Sequence, residues 1–178
     1  MDSINKEQPE HNRENLDGQD AAVKIKELAE IAKSCFFCTK LQTGKPFVTR
    51  PMAIQKVDWQ GNLWFLSARD SHKNAEIGED PAVQLLFQGS HYSDFMSIYG
   101  KATITTDKAK IAELWEPTVK NWFTGGQDDP RITVIKVEPQ TGYYWDTKHG
   151  LVVAFAKQLA GTLIGKTLDD SIEGMLHL

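Results

Sequence analysis

The sequence has few cysteines, no long apolar segment and no strong excess of charge of one sign. It contains two cysteines in 178 residues and has a formal net charge of −4. This charge does not indicate a basic surface, so no nucleic-acid partner is expected. No apolar run reaches the roughly 20 residues of a membrane-spanning helix, so no membrane association is expected. The polar N-terminus lacks the apolar region of a secretory signal, which predicts a cytoplasmic protein.

The two cysteines form a C-x-x-C pair, a spacing that also occurs in redox and metal sites. Cys35 and Cys38 lie in the apolar segment 34–40, which is typical of a buried strand. Residues with this spacing on a strand point to opposite faces of the sheet. No second C-x-x-C pair is present to complete a zinc site. We therefore interpret both cysteines as structural, and the histidines show no ligand spacing, so no metal site is predicted.

The chain divides into three parts by composition. Residues 1–19 are rich in Asn, Gln, Asp and Glu and are predicted to form a disordered N-terminal tail. Residues 20–165 carry helix and strand patterns without a linker or an internal repeat, which predicts one domain. Residues 166–178 are weakly patterned and are interpreted as a C-terminal extension.

Within the domain, the apolar periodicity alternates between helix and strand. Helical spacing predicts an amphipathic helix from Asp20 to about Lys33, a short helix after Ser71, a longer one from about Asp107 and a last one over 149–164. Period-two alternation predicts six strands. The strands lie near 34–40, 46–58, 62–68, 82–88, 94–105 and 131–145. This pattern predicts a mainly β, α+β fold, in which six strands form a closed or split barrel with helices at its rim.

Two strand edges carry side chains suited to binding a phosphate group. A guanidinium, an ammonium, hydroxyl donors and a helix N-terminus are common phosphate ligands. The residues that supply them are Arg50, Ser67, Ser71 and Lys73. Between them, Pro51 cannot donate to a strand ladder, so it marks an edge, a bulge or a break that faces a ligand.

Each of these residues also has an ordinary structural explanation. An arginine that shares a strand face with Val48 and Met52 is usually paired with a carboxylate. Ser71 suits a helix N-cap, and Lys73 alone would be a solvated charge. When Arg50 is considered together with Ser71 and Lys73, a phosphate site is the better explanation.

Six short motifs occur in a recognisable order. They are Thr49–Met52, Leu63–Ser67, Ser71-x-Lys73, Tyr99–Ala102, Trp122–Pro130 and Tyr144–Asp146. In order and spacing they resemble the FMN-binding split-barrel superfamily that includes pyridoxamine 5′-phosphate oxidase, and more narrowly its general stress protein 26 branch.

The resemblance implies an FMN-binding homodimer that holds the flavin between its subunits. It implies that Arg50, Ser71 and Lys73 contact the phosphate of FMN. It further implies a set of residues that line the flavin ring and the ribityl chain. These are Pro51, Met52, Leu66 and Ser67, with Trp145 approaching the flavin in some relatives.

The remaining aromatic residues are interpreted from their positions along the chain. Trp59, Trp115 and Trp122 lie beside turns or helices and are interpreted as packing residues. The run Tyr143–Trp145 is interpreted as an apolar surface that a dimer would cover.

Three functional hypotheses follow from the resemblance. The first is a small FMN-dependent oxidoreductase of unknown substrate, linked to the stress response. The alternative is a non-catalytic flavin store or sensor, and a third is a relative that binds haem or a deazaflavin. A true pyridoxamine 5′-phosphate oxidase is not expected, because those enzymes hold substrate with a C-terminal Arg-x-His segment. Here no arginine follows Arg131.

Overall fold

A computed structural model describes residues 12–91, 93–148 and 170–178 as a curled sheet with few helices. The strands are β1 (Leu16–Asp17), β2 (Ser34–Thr39), β3 (Val48–Ala53), β4 (Lys56–Val57), β5 (Leu63–Ala68), β6 (Ala82–Gln88), β7 (Phe95–Thr105), β8 (Ile132–Thr147) and β9 (Ser171–His177). The helices are α1 (Gly18–Ala32), α2 (His72–Glu79) and α3 (Lys108–Leu114), with two short 3₁₀ segments, Pro117–Asn121 and Gly126–Asp128.

The sheet curls because β8 changes partner along its length. The strand order is β1-β9-β8-β7-β6-β2-β3, and β5 pairs with β4 and β8. The first part of β8, Ile132–Val137, pairs with β5, whereas Thr141–Thr147 pairs with β9. Opposite it, β7 carries a register shift at Gly100, where an added Cβ would lie 2.4 Å from the Glu138 carbonyl oxygen. The predicted split-barrel, α+β fold is confirmed, and the barrel is not closed.

The six predicted strands all occur, with one division and two additions among the described residues. The predicted run 46–58 is divided into β3 and β4, because the chain leaves the ladder of β2 after Ala53. The added strands are β1 and β9, which pair in parallel. β3 is the last strand of the path, so the structure places Pro51 at a sheet edge, one of the three alternatives that the sequence left open.

The predicted boundaries of the tail and the extension need correction. Of the N-terminal tail, Arg13 bridges to Glu173, Leu16–Asp17 forms β1, and α1 begins at Gly18, with Asp17 rather than Asp20 at the N-cap. Of the C-terminal extension, Ser171–His177 is an integral strand between β1 and β8. Both segments were unpredictable from periodicity, because neither can bury a face until the other pairs with it.

The interior of the barrel is apolar and closely packed. Phe37 on β2 and Phe65 on β5 meet edge to face with ring centroids 5.4 Å apart, so opposite walls touch. α1 covers one opening of the barrel with Ile25 and Leu28, both fully buried. Burying such side chains stabilises the fold by roughly 1.5–3 kcal/mol each.

A second apolar cluster lies outside the barrel, between α3 and strands β5 and β8. The side chain of Asp107 caps α3 by accepting from the backbone N–H groups of Ala109 and Lys110, which confirms the predicted helix start. Ile111 and Leu114 of this helix are buried there. This cluster fixes the 3₁₀ segment Pro117–Asn121 against the barrel, beside the opening described below.

No helix in the described ranges is long and apolar enough to span a membrane. The helix predicted over 149–164 lies outside the described residues.

Candidate functional site

The barrel opens where β3 separates from β5. The short strand β4 pairs with β5 through Lys56↔Trp64 and Val57↔Leu63, and the Gln55 N–H adds a bond to the Trp64 carbonyl. If this antiparallel ladder continued, Ile54 would pair with Leu66. Instead the chain turns away to pair with β2, and the described residues form a cleft between the two strands.

The two strand edges direct backbone polar groups into this cleft. The Ile54 N–H bonds to the Lys33 carbonyl on the β2 side, so the alternation of a strand places the backbone groups of Pro51 and Ala53 on the cleft side. The missing N–H of Pro51 therefore removes no bond to β2. The same alternation directs the N–H and C=O of Leu66 into the cleft. Such an edge can bind the polar rim of a planar ligand.

The cleft has a volume of about 1000 Å³, which is the upper end of the usual range for small-molecule sites. Four predicted ligand-lining residues lie in its walls, together with the predicted phosphate ligand Lys73. These four are Pro51, Met52, Leu66 and Ser67. The structure therefore brings these five residues together in one cavity.

Lys73 is a half-buried cation in the cleft wall. Among the described residues no carboxylate lies within ion-pair distance of its ammonium group, whereas the cleft residues Lys26 and Lys56 are paired with Glu30 and Glu113. Burial, and then the nearby charge of Arg50, lowers the pKa of Lys73, while the charge of Glu76 partly offsets this. An anion bound in the cleft would relieve both effects.

Arg50 is held by a buried carboxylate and does not line the cleft. Its Nη2 donates to Glu76 Oε2 at 2.7 Å, and its Nη1 donates to Thr39 Oγ1 at 2.9 Å. Thr39 in turn donates to the same Glu76 oxygen at 2.6 Å. Burial opposes ionisation of Glu76, but the hydrogen bonds from Thr39 and Arg50 outweigh it, and the pKa of Glu76 is lowered.

The two serines belong to a hydrogen-bonded network behind the cleft wall. Ser67 Oγ donates to Asn74 Oδ1 at 2.7 Å, and the Asn74 amide donates to Thr133 Oγ1 at 2.9 Å. Ser71 occupies the predicted N-cap position of α2, but its hydroxyl lies near Ser67 and Asn74 and makes no capping bond to a backbone amide. The Asn74 N–H bonds to the Ser71 carbonyl, so the His72 and Lys73 N–H groups are the first-turn amides of α2 left without a side-chain cap.

The structure does not bring Trp145 into the cleft. It lies on β8 between Phe95 and Glu173, and its ring packs on Tyr143 with centroids 4.7 Å apart. Tyr143 and Tyr144 are buried within the chain, with 6% and 1% of their surface exposed. The interpretation of Tyr143–Trp145 as a surface that a dimer must cover is therefore wrong for the two tyrosines.

Trp122 and Glu76 are site residues that the sequence did not predict. Trp122 is 70% exposed and lines the cleft, so its interpretation as a packing residue is wrong; Trp59, at 71%, is also exposed. Just after the 3₁₀ segment Pro117–Asn121, Phe123 packs in the second apolar cluster, which leaves its neighbour Trp122 outside. Glu76 lies in the short helix after Ser71, and no local signal connects it to Arg50 on β3.

Comparison with known proteins agrees with this fold. Residues 20–169 match the sequence model of the family described as pyridoxamine 5′-phosphate oxidase like. The chain belongs to this family. The predicted resemblance to the superfamily is thus confirmed.

Sequence similarity to individual known proteins is low. The Neurospora crassa protein bli-3 is 29% identical over 128 residues, which span 67% of this chain and 61% of bli-3. The chain thus matches less than two thirds of the length of this curated relative.

Solved structures named general stress protein 26 share the fold. One assigned to that group from Jannaschia sp. CCS1 has a TM-score of 0.75 at 23% identity, covering 89% of this chain and 99% of that one. The general stress FMN/FAD binding protein of Xanthomonas citri has a TM-score of 0.55 at 25% identity, covering 67% of this chain and 82% of that one.

Proposed function

We propose that this family member binds FMN in the cleft between β3 and β5, with the phosphate at Lys73. The observation that carries the proposal is the position of Lys73, a half-buried cation in the cleft wall with no ion-pair partner among the described residues. The His72 and Lys73 N–H groups at the start of α2, which have no side-chain cap, add a partial positive charge beside it. The name of the Xanthomonas citri structure, an FMN/FAD binding protein, supports a flavin as the ligand.

The cleft also suits the flavin ring. Met52 and Leu66 offer apolar surface, while the backbone groups of Ala53 and Leu66 can bond to the polar rim of the ring. Trp122 at the cleft edge offers an aromatic face for stacking. When bound, the flavin supplies hydride and electron transfer, so the chain itself needs to bind, orient and shield it.

We further propose that two copies of the chain enclose the flavin. Phe36 lies beside Pro51 on β3 and beside Leu86 on β6. Phe36 is 55% exposed and Leu86 is 37% exposed, and we call these three residues the outer strip. Pro51 belongs both to the outer strip and to the cleft, so a partner that covers the strip would also close the cleft.

Substitution of Lys73 tests the phosphate assignment. Lys73→Met should weaken FMN binding by about tenfold or more, because the partly desolvated charge pair between Lys73 and the FMN phosphate is lost. Lys33→Met is the matched control, since Lys33 also lines the cleft but is exposed at the end of α1. It should change FMN affinity by less than about threefold. Equal effects of the two substitutions would show that Lys73 makes no specific contact.

The proposed catalytic role is that of a small oxidoreductase of unknown substrate. Reduction of the bound flavin by a nicotinamide donor and its reoxidation, followed by absorbance, would support turnover. A bound flavin that stays oxidised with every donor would support the store or sensor alternative. Oxidation of pyridoxamine 5′-phosphate is not expected, because no Arg-x-His segment follows Arg131.

A further inference from the structure

We infer that Glu76 is a positioning residue that fixes Arg50 beside Lys73 and thereby gives the site its preference for a phosphate-bearing flavin. This inference rests on the proposed function, and it concerns a carboxylate that would not be expected in an anion site. It predicts that removing a negative charge from the site weakens the binding of an anion.

The geometry around Glu76 is a closed triangle of hydrogen bonds. Arg50 donates to both Glu76 and Thr39, and Thr39 donates to the Glu76 oxygen that Arg50 also contacts. Glu76 is 9% exposed and Thr39 is fully buried. The three side chains come from β2, β3 and α2, so the triangle joins the cleft strand β3 to the helix that carries Lys73.

The triangle leaves part of the guanidinium free. An arginine has five N–H donors, and the triangle uses one donor on each terminal nitrogen of Arg50. The remaining donors keep a fixed direction, because the fork is planar and two of its nitrogens are held. Arg50 does not line the cleft itself, but it bonds to Glu76, three residues from Lys73 on α2, so a phosphate at Lys73 would accept from these donors without displacing Glu76.

Glu76 also offsets the electrostatic repulsion between the two cations. Arg50 and Lys73 are close enough for the charge of Arg50 to disfavour the charged form of Lys73, and Glu76 opposes this effect. Without Glu76, the mutual repulsion would drive the flexible Lys73 side chain towards solvent. The two cations would then no longer be held at one spacing for the oxygens of a phosphate.

Three variants separate this role from ordinary structural support. Glu76→Gln keeps the shape of the side chain and removes its charge, and Thr39→Val removes the hydroxyl that holds the carboxylate. Glu79→Gln is the matched control, since Glu79 lies on the same helix with its side chain 70% exposed and is paired with Lys40. For each variant the dissociation constants of FMN and of riboflavin, which lacks the phosphate, are measured by calorimetry.

Glu76→Gln should weaken FMN binding by about tenfold and change riboflavin binding by less than about twofold. Thr39→Val should also weaken FMN binding, and Glu79→Gln should change the dissociation constant of neither ligand. If Glu76→Gln fails to fold, the FMN and riboflavin affinities of Thr39→Val provide the test. In flavin-free protein, NMR should show a slowly exchanging Arg50 guanidinium signal that Glu76→Gln loses and Glu79→Gln keeps.

Equal or tighter FMN binding by Glu76→Gln would overturn the inference, because Glu76 would then be irrelevant to the anion or compete with it. An equal loss for FMN and riboflavin would also overturn it, since that pattern indicates general damage to the cleft. If the unmodified protein itself does not distinguish FMN from riboflavin, the proposed function fails first and this inference fails with it.

Discussion

At the scale of single residues, two cations that look equivalent in the sequence have different surroundings. Arg50 is held in a buried triangle with Glu76 and Thr39, whereas Lys73 lines the cleft without an ion-pair partner among the described residues. The arginine therefore stabilises the protein whether or not a ligand is present. The charged form of Lys73 is stabilised most when an anion binds beside it.

Lys73 should make flavin binding depend on pH. Its pKa is lowered in the free protein by burial and by Arg50, and a bound phosphate would raise it again. Binding between these two pKa values therefore takes up a proton, so FMN affinity should fall as the pH rises through the lowered pKa of free Lys73. Calorimetric titrations from neutral to alkaline pH measure this, and riboflavin should lack the dependence. The same slope for both ligands would contradict the assignment.

Removal of Arg50 should cost stability in the flavin-free protein. Arg50→Ala leaves Glu76 buried without its cation, which typically costs about 3–5 kcal/mol in the free energy of unfolding. The pKa of Glu76 is lowered by folding, so this stabilisation should be present above the ordinary glutamate pKa of about 4.3 and be lost as the pH falls below it. Urea denaturation measures the effect, and Lys73→Met, which breaks no ion pair, is the control. Equal stability of the two variants would contradict this account.

At the scale of elements, the site arises because one strand run is divided. The sequence predicts a single strand over 46–58, but β3 pairs with β2 and β4 pairs with β5, and the cleft lies where these partners differ. The sequence does mark this place, because Pro51 cannot form the missing ladder. It does not show that β3 pairs with β2 and separates from β5, since that depends on pairing between residues that are distant along the chain.

The terminal strands show the same dependence on distant partners. The segment Ser171–His177 has little apolar alternation and contains Gly174, so nothing local predicts a strand. Its role becomes clear only when Glu14 crosses it, with its backbone N–H bonded to the Glu173 carbonyl. In the same way, Arg50 and Glu76 lie on different elements, so their pairing could not be read from either segment alone.

Gly174 should be required for the N-terminal segment to stay in place. A Cβ on Gly174 would lie 1.7 Å from the Glu14 carbonyl oxygen, which is backbone and cannot rotate away. Gly174→Ala should therefore release residues 12–17 and remove the hydrogen-exchange protection of β1. Gly78→Ala is the control, because a Cβ there meets nothing within 4 Å and the residue lies in α2. Retained protection of β1 in Gly174→Ala would refute this role.

At the scale of the whole molecule, the fold is a single curled sheet whose open edge is its candidate binding site. The apolar interior could be predicted from strand periodicity, because period-two alternation records which face is buried. The surface that a second copy would cover could not be predicted from this periodicity. Tyr143 and Tyr144 are enclosed by β7 and β9, whereas Phe36 and Leu86 are two of several exposed apolar residues among those described.

The outer strip should therefore control assembly and flavin binding together. Sedimentation of the intact protein at micromolar concentration should give about twice the 20.0 kDa chain mass. Phe36→Asp should produce monomers and weaken FMN binding, because the cleft loses its cover. Trp59→Asp removes an aromatic residue outside the outer strip that is even more exposed than Phe36, and it should change neither property. A monomeric intact protein that binds FMN tightly would contradict the shared cleft.

The central claim is that the cleft between β3 and β5 recognises a flavin through its phosphate. Its most direct test is a calorimetric titration of the intact protein with FMN and with riboflavin under the same conditions. The account predicts that FMN binds at least about a hundredfold more tightly, since the phosphate would contact Lys73, Arg50 and the start of α2, and each tenfold corresponds to about 1.4 kcal/mol. Equal affinity for FMN and riboflavin, or no binding of either, would contradict it.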